Sequence, residues 1–329
     1  MELSKTEENG HLFPSSLSLN LDSCDCDEMA EQAAFWSLEQ RQLGKGHFQG
    51  KIIAVHTSNV QLGLSERNTA CFFTGAVPNG ATMFAFPVTS EAPPLFRGQT
   101  LKKHEIMALK HEEELELRTF SPTILTTIVI SSKFLEEQAM AISGKSFDEL
   151  RVQERLVIDG TEYKKRTEYL TSLLKKLHSS QKPLQTWEEE LLEEKIVKTI
   201  LGEVKIPAIV TKFPQRQVLA KTAENYIRKN LKTPLTVDEL CVIIGTSQRS
   251  LHLGFKERFG LSPKAYMQIM RLNGAHQNLL NNNSKRTISA IAMDWGFYHL
   301  GRFSYLYKQM FDELPGKTKK SLSKNLSKN

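Results

Sequence analysis

The sequence predicts an α+β chain of two domains: a β-rich N-terminal domain with appended helices and an all-α C-terminal domain. Three observations predict it. Residues 48–131 carry short alternating apolar runs broken by turn residues. Residues 133–205, and again everything from 218 on, carry apolar residues at three- and four-residue spacing. One plan also occurs twice, at Thr236 to Pro263 and at Thr287 to Pro315: a capping Thr, an apolar helix, a Gly turn, a second helix with paired aromatics, then Pro. A length of 329 residues favours two domains over one, and 40% hydrophobic with 24% charged residues is ordinary for a globular chain.

Charge is distributed unevenly. From Arg216 to the end there are 19 Lys and Arg against 7 Asp and Glu; residues 1–215 hold 24 against 30. A basic third beside an acidic front is the electrostatic footprint of a nucleic-acid module attached to another domain. A merely solvated surface is the bland alternative, and segregation on this scale argues against it. No apolar run reaches the roughly 18 residues of a membrane span. The N-terminus lacks the apolar core and cleavage site of a secretory signal, so a cytoplasmic location is expected. Cys24, Cys26, Cys71 and Cys241 are few enough to fit a reducing compartment. Cys24 and Cys26 have no second pair or His cluster to complete a zinc site, and Cys241 falls on an apolar helix face.

Residues 1–30 are polar, Ser-rich and then acidic, and are expected to be disordered. Residues 31–205 read as a regulatory domain. Its strands FQGKIIAVHTSNVQLGLSE, TACFFTGAV, TMFAFPV, EIMALK, ELELRTF and TILTTIVISS predict a sandwich or small barrel of the jelly-roll, cupin-like kind, able to enclose a small effector. His47, His56, His104 and His111 stand apart with no His-x-His pair, so no metal and no cofactor is expected; the HEEE run at 111–114 reads as a charged strand end. The helical stretch 133–205 includes TWEEELLEEKIVKTILGEV, where Trp187, Leu191, Leu192, Ile196, Ile200 and Leu201 form one stripe for packing against the barrel or for dimerisation. VKIPAIVTKFPQRQ, with 206–217 at its heart, reads as the interdomain linker.

The C-terminal domain is expected over 218–320, with a basic tail at 321–329. A helix VLAKTAENYIRKNL runs up to Pro234. Thr236-Val-Asp-Glu239 is a capping box. The helix it opens buries Leu240, Ile243 and Ile244, and Gly245 makes the turn. Ser247 caps a second helix that turns Leu251, Phe255 and Phe259 inward and leaves Arg249, His252, Leu253 and Lys256 outside. Ser262-Pro263 starts a helix of about 18 residues, roughly 27 Å long, which ends at the polar loop NNNSKR. The second copy places Ile288, Ile291, Ala292 and Trp295 inside, turns at Gly296, buries Phe303, Tyr307 and Phe311, and exposes Leu300, Arg302, Tyr305 and Lys308. Two such pairs on a rigid spacer suit two successive major grooves of double-stranded DNA, about 34 Å apart.

IAMDWGFYHLGRFSYLYKQMF and DELCVIIGTSQRSLHLGFKERFGLSPKAYMQIMRLNGA resemble the second and first helix-turn-helix units of AraC/XylS-type transcription regulators, over about 216–320. The resemblance implies a double helix-turn-helix DNA-binding domain joined by a long linker helix. It also implies an N-terminal domain that binds an effector or dimerises, and RNA polymerase as a partner, as for an activator. Carried onto this chain, the contact set is Ser247, Arg249, Ser250, His252, Leu253 and Lys256 in the first unit, and Leu300, Gly301, Arg302, Ser304, Tyr305 and Lys308 in the second. Arg302 and Ser304 would lie near phosphates, and Leu253 and Leu300 would meet thymine methyls rather than donate hydrogen bonds. Asp312 stands where many members have a turn glycine. Within the family the chain most resembles the ethanolamine-operon regulator subgroup, through Trp295 to Gly301 and more loosely FQGKIIAV and IVISSKFLEEQA. Its associated ligands, ethanolamine and a cobalamin, are not carried over, because no contiguous ligand motif in 30–215 supports them.

Two other readings compete. A cupin-type metalloenzyme or a repair methyltransferase fused to a DNA module would need clustered ligands or a reactive Cys in a Pro-Cys-His/Arg context, and Cys71 lies in TACFFTG. An architectural protein would bind DNA without preference, against which two capped helix pairs at fixed spacing argue.

Overall fold

A computed structural model describes residues 12–319 apart from 34, 91, 121, 152–153, 181–182, 203–213 and 282–285. In chain order, the N-terminal part contains β1 (Ser18–Ser23), α1 (Cys26–Glu31), β2 (Ser37–Gln42), β3 (Gly50–His56), β4 (Val60–Arg67), β5 (Cys71–Ala76) and β6 (Ala81–Ser90). There follow β7 (Leu95–Phe96), β8 (Gln99–Thr100), β9 (Glu105–Lys110), β10 (Leu115–Arg118), β11 (Thr123–Ser131), α2 (Ser132–Ser143), α3 (Phe147–Leu150), β12 (Arg155–Val157), α4 (Gly160–Ser179) and α5 (Thr186–Leu201). The C-terminal part is α6 (Gln215–Lys229), α7 (Val237–Ile244), α8 (Gln248–Phe259), α9 (Pro263–Leu280), α10 (Ile288–Asp294) and α11 (Leu300–Phe311).

The strands make two antiparallel sheets, ordered β1-β3-β4-β11-β6-β9-β12 and β2-β5-β10-β7-β8. Period-two alternation sorts each strand's side chains onto two faces. Phe84 and Phe86 of β6, Ile106 and Ala108 of β9, and Ile128 and Ile130 of β11 leave the seven-stranded sheet on one side, to pack with Leu135 of α2, Leu170 and Leu174 of α4, and Ile196 and Ile200 of α5. Their neighbours Met83, Ala85, Met107, Leu109 and Val129 point the other way and meet Phe73, Leu115 and Leu117 of the five-stranded sheet. The order of layers is therefore helices, large sheet, small sheet.

Four expectations differ from the structure. Residues 18–30, within the stretch 1–30 read from the sequence as disordered, contribute β1 and nearly all of α1. The polar string hides an alternation, Leu17-Leu19-Leu21, and β1 pairs with β3 from Ser18 opposite Val55 to Ser23 opposite Gly50. The α5 stripe is not one face: Ile196 and Ile200 are buried, whereas Trp187 is 65% and Leu191 60% exposed. Its inner face is completed instead by two buried carboxylates, which hold the β3–β4 turn: Asn59 donates to Glu193 at 2.7 Å through its backbone and 2.9 Å through its side chain, and Ser58 donates to Glu189. Ile243 is 47% exposed rather than core, because Cys241 takes the inner position beside Leu240. Further, α6 ends at Lys229, short of Pro234. Most of the linker read at 206–217, the centre of the NNNSKR loop and the basic tail 321–329 lie outside the described residues. Among the described residues no helix is long and apolar enough to cross a membrane.

The C-terminal helices form two cores along α9. One gathers Ile227, Leu240, Leu251, Phe255, Phe259 and Tyr266; the other Leu272, Leu279, Ile291, Phe303, Tyr307 and Phe311. The first core extends onto the N-terminal part through Leu43 and Phe72, whose ring meets Phe259 edge-on at 5.6 Å. Buried charge completes the contact. Arg258 of α8 donates to Glu116 of β10 at 2.7 Å, and Lys221 of α6 lies 2.9 Å from the same carboxylate and 3.0 Å from Glu114. Asn273 of α9 exchanges hydrogen bonds with the Gln42 backbone at 3.0 and 3.2 Å, and His276 lies 3.5 Å from Asp25.

Candidate nucleic-acid interface

The two helix pairs are built alike. Thr236 accepts from the Glu239 backbone while Glu239 accepts in return, which satisfies two orphan donors at the start of α7; the same bonds hold the Glu239 carboxyl below its ordinary value. Thr287 caps α10 through Ala290. Each first helix ends in a turn residue of positive φ, Gly245 at +70° and Gly296 at +77°, where a Cβ would be strained. Ser247 then caps α8 through Ser250, and Ser262 caps α9 with Pro263 at its first position. The α9 spacer runs Pro263–Leu280, 18 residues.

Inward and outward faces separate cleanly. In α8, Leu251, Phe255 and Phe259 are fully buried, and Arg258 is turned toward Glu116. Ser247, Arg249, His252, Leu253 and Lys256 are exposed on the other side, with Ser250 half-buried. In α11, Phe303, Tyr307, Met310 and Phe311 are buried, whereas Leu300, Gly301, Arg302, Tyr305 and Lys308 are exposed and Ser304 is half-buried. All twelve predicted contact residues thus lie on the two faces turned away from the core and from the N-terminal part. Among the described residues Arg249, Lys256, Arg302 and Lys308 form no ion pair, which leaves four cations for phosphate or base edges. Other cations are spoken for: Arg271 donates to the backbone of Leu231 and Thr233, Arg216 pairs with Glu257 at 2.7 Å, and Arg286 pairs with Asp294.

Trp295 closes α10 with its indole donating to Asn278 at 2.8 Å and Lys232 over its ring at 5.1 Å. This locks the second pair to the spacer. Sequence reasoning missed Tyr298, 64% exposed, and the exposed His299, which stand at the N-terminal end of α11 where a reading helix meets bases. The signal was their place just before Leu300, on the loop side of the helix start. Val242, 82% exposed on α7, was missed as well.

Elsewhere, no group of three or more His, Cys, Asp or Glu among the described residues could hold a metal ion. His56 is buried against Phe13 and Phe35 and accepts from Gln61 at 3.0 Å; burial depresses it from 6.5 to about 4. Cys71 and Cys26 are buried and Cys24 is exposed.

The family described as "Helix-turn-helix domain" matches residues 240–321. The "Probable thc operon regulatory protein" of Rhodococcus erythropolis is 35% identical over 98 residues, 30% of this chain and 30% of that protein. The "XylDLEGF operon transcriptional activator" of Pseudomonas putida is 34% identical over 103 residues, 31% and 32% of the two chains. The matches thus span about a third of the length of these relatives. A solved "probable AraC family transcriptional regulator" from Rhodopseudomonas palustris is 33% identical over 32% of this chain and 96% of its own, with a TM-score of 0.31. Residues 240–321 thus form a helix-turn-helix domain, and over about a third of its length the chain is similar to DNA-binding transcription regulators.

Proposed function

We propose that the whole chain is a sequence-specific transcription regulator acting in the cytoplasm. In this reading both helix pairs are helix-turn-helix readers, and the N-terminal domain is a jelly-roll-like unit that responds to an effector. The observation that carries it is the pair of outward faces on α8 and α11. The first is capped by Ser247, each carries cations without an ion pair among the described residues, and both flank one 18-residue spacer while the opposite faces are buried. Arg249 and His252 are the base readers, because their side chains can donate to base edges. Lys256, Arg302, Ser304 and Lys308 suit phosphates, Leu253 and Leu300 suit thymine methyls, Tyr305 adds a polar tip, and Gly301 permits close approach. Ser247 and Ser250, at the start of α8, lie where a helix N-terminus favours phosphate.

RNA polymerase and a second copy of the chain belong to the same proposal, as does a place beside the ethanolamine-operon subgroup, which rests on residues 295–301. Genome-wide footprinting tests the core reading: discrete preferred sites are expected, and uniform occupancy contradicts it. On such a site Arg249→Ala should cost about 1–3 kcal/mol and relax preference at one base position, measured by titration against single-base site variants.

A further inference from the structure

The inward face of β4 is chemically out of place. Val60, Leu62 and Leu64 leave this strand toward the helices. The alternate residues Gln61, Gly63, Ser65 and Arg67 point into the space between the sheets, where a sandwich normally places apolar side chains. They line a cavity of about 100 Å³. Its floor is kept open by small residues, Ala33, Ala54 and Ala85 together with Gly63, and its walls are apolar, with Leu38, Phe73 and Leu117 among them.

Arg67 is the anomaly within that space. It is 7% exposed, and burial holds its guanidinium below the ordinary value. Its Nε donates to Gln40 at 3.2 Å, and its plane lies 4.7 Å from the centre of the Phe73 ring. Among the described residues no carboxylate pairs with it, and its two terminal nitrogens form no hydrogen bond. The nearby sulfurs of Cys71 and Cys26 only partly restore its basicity. Elsewhere Arg258 is answered by Glu116, Arg155 by Glu105 and Arg151 by Glu113, while Arg118, which does not line the cavity, is among the described residues the other buried arginine without a carboxylate. An isolated buried cation is costly, and a planar guanidinium matches a carboxylate in two parallel bonds.

We propose that this cavity binds a compact organic monoanion with an apolar body, such as a small carboxylate, whose charged end is held by Arg67. An amine would meet a like charge there. A polyol would leave the guanidinium unanswered and set hydroxyls against apolar walls. The regulatory consequence rests on the reading of the N-terminal domain as effector-responsive; the binding itself does not. The cavity wall also faces the C-terminal helices. Leu115 and Leu117 of β10 line the cavity, while Glu116 between them holds Arg258 of α8.

Calorimetric titration of the full chain tests this with hexanoate and benzoate against hexanamide, benzamide and hexylamine. Both, or either, of the carboxylates should bind, with the matching amide weaker by about 30-fold or more, the loss expected when one partner of a buried charge pair goes. Arg67→Gln should abolish the preference, and Arg67→Lys should retain part of it. Gly63→Val, which fills the cavity and leaves Arg67 in place, should abolish binding and keeps the test open if Arg67→Gln does not fold. Amides binding as tightly as carboxylates, hexanoate binding unchanged in Arg67→Gln, or no carboxylate binding to the folded wild-type chain would each overturn the proposal. A carboxylate that binds through Arg67 yet leaves DNA affinity unchanged upholds the site and removes the effector reading.

Discussion

Asp312 closes α11 with φ of +57°, in the left-handed region that an L side chain enters at a cost. Its backbone N–H still completes the helix by donating to Lys308. Asp312→Gly should therefore stabilise the chain by about 0.5–1 kcal/mol without touching the reading face, as measured by urea denaturation. His56 works in the opposite sense. Its folded-state value lies below that of the free side chain, so the fold prefers it neutral. The stability this gives is fully present above pH 6.5 and is lost as pH falls toward about 4. At about 1.4 kcal/mol per unit the loss is on the order of 3 kcal/mol. Denaturation at pH 7 and pH 4 should show that drop in the wild type and a smaller one in His56→Phe, which packs against the same Phe13 and Phe35 rings.

At the scale of elements, local chemistry and long-range packing divide what the sequence discloses. Caps and turns are local, and so Thr236, Ser247, Ser262-Pro263 and Thr287, with Gly245 and Gly296, mark the C-terminal helices almost to the residue. A 3.6-residue period then assigns faces, which is why Arg249, His252, Leu253 and Lys256 of α8, and Leu300, Arg302, Tyr305 and Lys308 of α11, could be assigned to the exposed side from the sequence. The period fails where tertiary partners decide. Glu189 and Glu193 are buried because a hairpin turn from residues 58–59 needs acceptors, and this displaces Trp187 and Leu191 to the surface. β1 was hidden because its strand register depends on β3, and its polar residues outweigh three leucines in composition. Arg67 was silent for the same reason: one Arg in a strand says nothing until the opposite sheet closes over it. The helix pairs depend on their buried faces more than on their caps. Leu251→Ala, at a fully buried site in α8, should cost about 2–5 kcal/mol by denaturation, against about 0.5–2 for Thr236→Ala.

Over the whole molecule, the five-stranded sheet is a shared wall. Phe73, Leu115 and Leu117 face the cavity, and their neighbours Phe72 and Glu116 face the C-terminal helices. The docking charges are arranged around one acceptor. Glu116 is 2% exposed and answers both Arg258 and Lys221; Glu114 and Glu224, the latter raised by its burial, also lie beside Lys221. Glu116→Ala removes the buried carboxylate that Arg258 and Lys221 share, so it should weaken docking by about 3–5 kcal/mol. Calorimetry should then show the two parts melting separately where the wild type melts together. The exposed faces of α8 and α11 do not take part in this contact, so the docked arrangement leaves both open to solvent.

The central claim is that these two faces together select a DNA sequence. Selection from randomised duplexes, run with the wild type and with Arg249→Ala and Arg302→Ala, tests it most directly. A two-part site is expected, with its halves about one helical turn, roughly 10 base pairs, apart. Arg249→Ala should blur one base position in one half, and Arg302→Ala should weaken binding without changing the preferred sequence. Recovery of no enriched sequence, or of a single half-site indifferent to Arg249, would contradict it.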